Sequence, residues 1–258
     1  MAMVFVTRAA IIALLTFASA LLGFGVQHLL LADYVAASKG MITSIVGLDA
    51  TLLALVLSLL VWTAHGQFTA QQAQLQTIGR AVILLDLAFA AYGPEAAKGR
   101  REVREIVRRA RARLWTDDRK GRRAVAYTDL AAEIMPMRAV FFSLSPASDE
   151  QRQHLAAAWE HFGEIVDTHL TMVRALANPV PNLLLAVVVG WACVLFFGYG
   201  LMSTINLLST VMAALGAISV ASAALLILEL SDPYVGLFRI PLDGFDGLMR
   251  NLTEAAGL

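Results

Sequence analysis

The chain has 258 residues, of which 58% are hydrophobic and 16% charged, with a formal net charge of zero and a mean hydropathy of +0.67. Soluble domains carry about 25% charged residues, so this composition indicates a membrane protein. The zero net charge gives the chain no overall electrostatic preference for nucleic acid, which is not an expected partner. The single cysteine, Cys193, cannot form an internal disulfide and is typical of a small buried side chain.

Four stretches are long and apolar enough to cross, as helices, a bilayer core about 30 Å thick. They cover approximately residues 9–31, 41–64, 182–201 and 207–230. The first stretch resembles a signal peptide, because a basic residue precedes it and an Ala-Ser-Ala sequence inside it resembles a cleavage site. Its apolar run is too long for a signal core, so we interpret it as a transmembrane helix.

This order of spans predicts an all-α membrane protein with two transmembrane hairpins separated by a helical cytosolic insert. We assign residues 1–65 to the first hairpin, 66–180 to the insert, 181–231 to the second hairpin and 232–258 to a cytosolic tail. The insert holds 16 of the 20 Lys and Arg residues, whereas the short links on the opposite face hold only Lys39. The positive-inside rule therefore places both termini and the insert in the cytoplasm.

Three helices are predicted in the insert. The second span continues to about Gly93, where a glycine followed by proline ends a helix. A second helix extends to about Leu114 with apolar residues at helical spacing, and the charged run at 117–123 is interpreted as a turn. A third helix starts near Ser148 and ends before Pro179.

One acid, Asp49, interrupts the apolar second span. An acid inside a membrane helix costs roughly 2.5 kcal/mol or more at the centre and is functional by default. Its face of the helix is apolar through the span and polar beyond it, which predicts a pore wall with an acidic site and a hydrophobic constriction. The predicted pore-lining residues are Ile45, Asp49, Leu53, Val56, Leu60, Thr63, Gln67 and Gln71. Four helices scarcely enclose a pore, so this hypothesis requires a homo-oligomer.

A second face of the same span leaves the pore assignment open. Polar residues recur on it every seven positions, roughly opposite Asp49. This hydroxyl face consists of Ser44, Thr51, Ser58, His65 and Gln72. It lines water in one interpretation, which leaves Asp49 paired inside the bundle. We favour the other interpretation, a contact surface between helices, where Ser and Thr are common.

The remaining sequence features indicate structural roles and not catalytic or metal-binding ones. The fourth span presents small residues at three- and four-residue steps, which predicts close helix packing. Glu229 and Asp232 bracket its end and are interpreted as a helix terminus that pairs with Arg239. His154 and His161 share one helix face, but no second helix offers matching ligands. No metal site, cofactor site or enzymatic centre is therefore predicted.

The last third of the chain resembles a known family. The segments "WACVLFFGYGLMSTIN" and "LLILELSDPYVGLFRIPLDGF" are similar to the bestrophin-like domain of bacterial integral membrane proteins. The motif residues that carry the resemblance are Trp191, Gly198, Asn206, Glu229, Pro233, Gly236 and Arg239. Residues 74–107 are similar to the central helix pair of that family, and the two-hairpin layout also fits it.

The resemblance implies an oligomeric anion channel with a hydrophobic neck lined by the second helix, and pentamers are the precedent for its assembly. Two features of this chain depart from that pattern. Asp243 and Asp246 alone supply too few oxygen ligands for a calcium site. A ring of Asp49 carboxylates would attract cations and repel anions, so the sign of the conducted ion stays open.

The sequence thus predicts a homo-oligomeric ion channel of a bacterial inner membrane, whose partners are other copies of the chain, inorganic ions and the lipid bilayer. Asp49 would act as a charge filter, and Leu53, Val56 and Leu60 as a gate. The competing hypothesis is a non-conducting membrane scaffold or signalling protein whose insert binds a cytosolic partner. A proton-coupled transporter is less favoured, because the chain shows one intramembrane acid and no broken helix pair.

Overall fold

The structure, a computed structural model, describes residues 2–29, 32–114, 134–177 and 182–231, together with positions 247 and 250. Every regular element within these residues is helical, which confirms the all-α prediction. The α-helices are α1 (Ala2–Leu29), α2 (Ala32–Tyr92), α3 (Ala97–Leu114), α4 (described over Ile134–Ser143), α5 (Asp149–Ala177), α6 (Asn182–Met202) and α7 (Leu207–Leu230), with a 3₁₀ helix at Pro94–Ala96 before α3.

Four helices of the described chain have the length and hydropathy to cross a membrane. They are α1, α2, α6 and α7, with apolar segments at Phe5–Leu29, Ala37–Tyr92, Leu183–Met202 and Leu207–Leu230. These segments confirm the four predicted spans, and the chain is a membrane protein. The pairing of the spans into two hairpins stays a prediction, and the predicted turn at 117–123 lies outside the described residues.

The chain divides into two compact units. The first, called the membrane unit, contains Met1–Phe68 and Val180–Phe238. The second, called the insert unit, contains Thr69–Pro179 and Arg239–Leu258. The long helix α2 contributes residues to both units, so its two parts are described separately below.

Close backbone contact joins α1 to α6 in the membrane unit. Gly23 of α1 and Gly200 of α6 lie against each other, and a Cβ atom at Gly200 would collide with the carbonyl oxygen of Ala20. The Ser19 hydroxyl donates a hydrogen bond to the carbonyl oxygen of Cys193 at 2.6 Å. Small residues allow membrane helices to approach closely enough for van der Waals packing and such interhelical hydrogen bonds.

The fourth span, α7, is also packed through small residues. It buries the side chains of Ala217, Ala221 and Ala224. Its Gly216 lies beside the ring of Phe196 in α6, where an added Cβ would come within 3.0 Å of a ring carbon. The close packing predicted for this span is therefore confirmed.

The insert unit is built around a cluster of aromatic rings from α2, α4 and α5. The ring centroid of Phe141 lies 5.4 Å from that of Phe89, 5.5 Å from that of Phe162 and 4.2 Å from that of Trp159. α3 approaches the same cluster at Gly99, where an added Cβ would lie 3.0 Å from the Phe89 ring. Tilted and stacked rings at these distances are favourable packing arrangements.

The end of α2 is fixed by a turn and by the start of α5. α2 ends at Tyr92, as predicted, and Gly93 follows with a φ of 123°, a conformation that favours glycine. The Gln151 side chain donates to the carbonyl oxygen of Tyr92 at 3.1 Å and accepts from the N–H of Ala147 at 2.8 Å. The Ser148 hydroxyl caps α5 by accepting from the N–H of Gln151 at 3.1 Å.

Candidate functional site

The membrane-spanning part of α2 has one buried side and one free side. Val46, Leu53 and Leu60 are 6%, 6% and 3% exposed and belong to the core of the membrane unit, together with residues of α6 and α7. Their seven-residue spacing places them on one side of the helix. On the opposite side, Leu48 and Leu55 are 62% and 64% exposed. This exposed side, the free side of α2, is therefore the one that can contact lipid, water or another subunit.

The four apolar residues of the predicted pore wall are split between these sides. Leu53 and Leu60 lie in the core, and Val56 packs against it. Ile45 is exposed. A side chain enclosed by its own subunit cannot contact water in a central pore, which is evidence against a gate made of Leu53 and Leu60 in this conformation.

The predicted polar residues are also distributed over different surroundings. Thr63 is exposed and Gln67 half-buried in the membrane unit. Gln71 belongs to the insert unit, where it is 3% exposed and its amide donates to the carbonyl oxygen of Met172 at 3.4 Å. Gln71 therefore stabilises the insert unit's own packing. The pore assignment of the eight residues as a set stays a prediction.

Asp49 lies on the same side of α2 as Leu53 and Leu60, roughly opposite the hydroxyl face. It is half-buried, and its Oδ2 atom is buried without a hydrogen-bond partner among the described residues. A buried carboxylate is stable only when another group compensates its charge. Asp49 is therefore placed where a proton or a bound cation would offset the cost of its burial.

The hydroxyl face lies on the free side of α2. Ser44, Thr51 and Ser58 are exposed, and each hydroxyl donates to the carbonyl oxygen four residues earlier, at 3.0, 2.9 and 2.8 Å. His65 and, in the insert unit, Gln72 are exposed as well. Because the hydroxyl hydrogens are engaged with the backbone, the oxygen lone pairs remain to accept hydrogen bonds from water or to contact cations.

An open cavity of about 440 Å³ borders the hydroxyl face on the side of α7. It is lined by Leu57, Ser58, Val61, Trp62, His65 and Ala223. Most of these side chains are apolar, and Trp62 is 75% exposed. The hydroxyl face is thus flanked by an apolar groove whose second wall is α7.

Sequence reasoning did not single out Leu48, Leu55 or Trp62, which share a seven-residue spacing on the free side of α2. Their spacing was a signal available in the sequence. However, this span is apolar on every side, so periodicity alone does not separate residues that pack inside the subunit from residues that face outward. Only the contacts with α6 and α7 show which side is free.

Two residues of the family motif have clear structural roles. Gly198 of α6 faces Val46 of α2, and a Cβ atom at this glycine would collide with the valine side chain. Asn206 caps α7, because its side-chain oxygen accepts a hydrogen bond from the N–H of Ser209 at 2.7 Å. Both residues therefore set the positions of membrane-spanning helices.

The other motif residues lie near or beyond the end of α7, apart from Trp191, which packs against the core of the membrane unit. Glu229 is 1% exposed in the last turn of α7. Pro233, Gly236 and Arg239 lie outside the described residues. The pairing of Glu229 with Arg239 therefore stays a prediction.

The two histidines on α5 each lie near an acid of the same helix. Nε2 of His154 is 3.8 Å from the Glu150 carboxylate, and Nδ1 of His161 is 4.0 Å from the Glu164 carboxylate. Within the described ranges, no group of three or more His, Cys, Asp or Glu residues is arranged to hold a metal ion. These pairs therefore give no support to a metal centre.

A sequence profile of the Bestrophin-like domain matches residues 11–245 of the chain. The chain belongs to the bestrophin-like family. The match extends over both units, and it confirms the family resemblance seen in the motifs of α6 and α7. No protein of curated function matches the sequence of this bestrophin-like chain.

Solved structures agree with this membership at the level of the fold. Two point mutants of a bacterial bestrophin homologue from Klebsiella pneumoniae are 14% identical in sequence, with TM-scores of 0.69 and 0.68. A third point mutant of that homologue is 16% identical, with a TM-score of 0.67. Each match covers 97% of this chain and 100% of the homologue. The bestrophin-like fold therefore extends over nearly the whole chain.

Proposed function

We propose that this bestrophin-like chain forms a homo-oligomeric cation channel in a bacterial inner membrane, with its termini and insert in the cytoplasm. Family membership supports a channel, since bestrophins are oligomeric ion channels. One α2 from each copy would surround the pore, because four spanning helices in one subunit scarcely enclose a water-filled path. Pentamers are the family precedent for the number of copies.

The observation that carries this proposal is the free side of α2. The hydroxyl hydrogens on that side bond the helix backbone, but the oxygen lone pairs have no hydrogen-bond donor in lipid, where water is absent. Ser44, Thr51 and Ser58 are exposed on that side at regular spacing. In a shared aqueous pore, water supplies these donors, so we assign the hydroxyl face to the pore.

Assigning the hydroxyl face to the pore also changes which residues would form the hydrophobic constriction. Leu53 and Leu60 are inside the subunit, whereas Leu48 and Leu55 are more than half exposed beside the hydroxyl face. In an oligomer, equivalent leucines from each copy would form apolar rings between rings of hydroxyls. Such rings gate ion flow by dewetting, so we assign the neck to Leu48 and Leu55.

One feature of the hydroxyl face favours cations as the permeant ions. The hydroxyls of Thr51 and Ser58 donate to the backbone, which leaves their oxygen lone pairs to contact passing ions. Asp49 lies roughly opposite the hydroxyl face and does not contribute to this preference. Oxygen acceptors along a pore stabilise cations.

Cysteine accessibility during single-channel recording tests the assignment. In a Cys193→Ala background we would compare Ser58→Cys with Leu53→Cys, since both positions lie in one span but on opposite sides of α2. A membrane-impermeant cationic thiol reagent is expected to block current through the Ser58→Cys channel and to leave the Leu53→Cys channel unchanged. The reversal potential under a KCl gradient gives the sign of the ion in the same recordings.

The other possible results of these recordings lead to different conclusions. Block of Leu53→Cys alone would return the pore to the Asp49 face. A reversal potential that favours chloride would contradict the cation assignment while leaving the channel intact. Reproducible silence from protein of oligomeric mass would favour the alternative, a membrane scaffold whose insert binds a partner.

A further inference from the structure

The basic residues of α3 outnumber the acids that pair with them. The helix carries eight basic residues and two acids over Ala97–Leu114. Glu102 pairs with Arg109 at 2.8 Å. Glu105 pairs with Arg108 at 2.7 Å. Both acids of the helix are therefore engaged, so the other cations of α3 can be compensated only by another element or by a ligand.

Three neighbouring cations of α3 lack such compensation. Arg100 is compensated by α2, because its guanidinium bonds both oxygens of Asp86 at 3.0 and 2.8 Å. In contrast, Lys98, Arg101 and Arg104 have no hydrogen-bond or ion-pair partner for their side chains within the part of the chain that the structure describes. They follow each other at three-residue steps, which places successive Cβ atoms about 5–6 Å apart on the helix. We call these three residues the cation row.

Arg104 is the member of the cation row whose charge is partly enclosed by protein. The residue is half-buried, and its Nη1 atom is buried without a hydrogen-bond partner among the described residues. A guanidinium does not lose its charge in a protein, so an enclosed donor without an acceptor is destabilising. The exposed Lys98 and Arg101 add two positive charges beside it, and like charges at this spacing repel each other.

An anion on the exposed side of the cation row would offset both effects. The attraction between opposite charges acts over several ångström in a partly buried site, so the anion compensates Arg104 without reaching the enclosed nitrogen. Arginine carries a planar fork of donors that matches the oxygens of phosphate and carboxylate groups. A phosphate monoester has a charge of about −1.5 to −2 and three acceptor oxygens, so one group accepts hydrogen bonds from several side chains of the row.

We propose that the cation row of Lys98, Arg101 and Arg104 binds a phosphate monoester. A small soluble phosphate and the headgroup of an anionic lipid share this chemistry. One helix of one copy supplies all three side chains, so the site does not depend on the channel proposed above.

Stabilisation by the ligand tests the site in the purified full-length protein. A ligand that binds the folded state raises the unfolding temperature. In an uncharged detergent, we would compare glycerol 3-phosphate with NaCl at equal ionic strength, and phosphatidic acid with phosphatidylcholine in the micelles. The two phosphates carry the same monoester group, one in solution and one on a lipid. At least one of them is expected to raise the unfolding temperature above that of its control.

Substitutions in the cation row show whether it is the binding site. Without phosphate, Arg104→Gln is expected to unfold at the same temperature as the wild type or higher, because it removes a charge whose enclosed nitrogen has no acceptor. The increase with phosphate is expected to disappear, since one hydrogen bond between charged groups changes affinity by about tenfold or more. Arg101→Gln is expected to lose the increase as well, and its exposed position keeps the buried packing intact.

Arg109→Gln is the matched control, because it removes the same charge from the same helix. Arg109 already bonds Glu102 and Glu105, at 2.8 and 3.4 Å. This variant is therefore expected to keep the increase with phosphate. An increase that persists fully in Arg104→Gln and Arg101→Gln, or that Arg109→Gln loses to the same extent, would overturn the assignment to the cation row.

The two phosphates also identify the source of the ligand. An increase with phosphatidic acid alone would support a lipid headgroup as the ligand, and an increase with glycerol 3-phosphate alone would support a soluble one. Equal increases would show that the site recognises the phosphate group in either form. No increase with either phosphate in the wild type would overturn this site and leave the channel proposal standing.

Discussion

Asp86 is an acid in an apolar part of α2, and the structure explains its presence. It is 2% exposed in the insert unit, and the Arg100 guanidinium donates to its two oxygens at 3.0 and 2.8 Å. This hydrogen-bonded contact raises the pKa of Arg100 above its ordinary value. A bidentate pair of this kind fixes α3 against α2 across the Gly93 turn.

Removing one partner of this pair is expected to destabilise the protein strongly. Asp86→Asn removes the carboxylate charge that the Arg100 guanidinium bonds in a mostly buried site, which costs about 3 kcal/mol or more. Replacing both residues with leucine should recover most of this loss, because no unpaired charge remains. Thermal unfolding of the purified protein in detergent measures both variants.

An exposed ion pair of the same unit gives the control for Asp86. Arg108 bonds Glu105 at 2.7 Å, but the two side chains are 68% and 40% exposed. Arg108→Gln should therefore change the unfolding temperature little. Equal decreases in unfolding temperature for Asp86→Asn and Arg108→Gln would contradict the claim that burial makes the Asp86–Arg100 pair more important for stability.

At the scale of the elements, the helices could be predicted closely because their end signals are local. Glycine and proline after Tyr92 end α2, and the serine before Asp149 caps α5. The buried positions Val103 and Val107 of α3 also followed from helical spacing. These features depend on neighbours in sequence, which a single sequence contains.

The free side of α2 could not be predicted in the same way. It depends on which residues of α6 and α7 pack against Val46, Leu53 and Leu60, and those partners lie more than 100 residues away in the chain. The span is apolar around its circumference, so hydrophobicity does not show which side of the helix packs inside the subunit. We therefore propose the hydroxyl face as the pore lining, whereas the sequence alone pointed to the Asp49 face.

The glycine contact between α1 and α6 leads to a prediction at the element scale. Gly200→Ala adds a methyl group that would collide with the backbone at Ala20 and force the two helices apart. Overpacking of this kind costs about 1–3 kcal/mol, and backbone has little freedom to move aside. We expect a lower unfolding temperature in detergent.

The same helix supplies a matched control. Gly190 of α6 has no atom within 4 Å of the place where a Cβ would lie. Gly190→Ala should therefore stabilise the protein, by about 0.5–1 kcal/mol, because alanine loses less conformational entropy in a helix than glycine does. A loss of stability in Gly190→Ala equal to that in Gly200→Ala would show that contact with α1 is not the cause.

The whole molecule combines two units that share α2 but differ in charge. The membrane unit holds four residues of the hydroxyl face, Ser44, Thr51, Ser58 and His65, and the insert unit holds 18 of the 20 basic residues. The family match extends over both units, so they belong to one fold. In the proposed homo-oligomer, the free side of α2 in the membrane unit would line the pore.

The charge distribution predicts the orientation of the molecule in the membrane, because chains rich in Lys and Arg stay in the cytoplasm. In a Cys193→Ala background, Thr204→Cys lies between α6 and α7 and Ser143→Cys in the insert unit, both exposed. An impermeant maleimide should label Thr204→Cys in intact spheroplasts and Ser143→Cys only after permeabilisation, while the background protein stays unlabelled. The reverse pattern would invert the topology, and it would place the insert outside the cell, where no cytosolic partner could reach it.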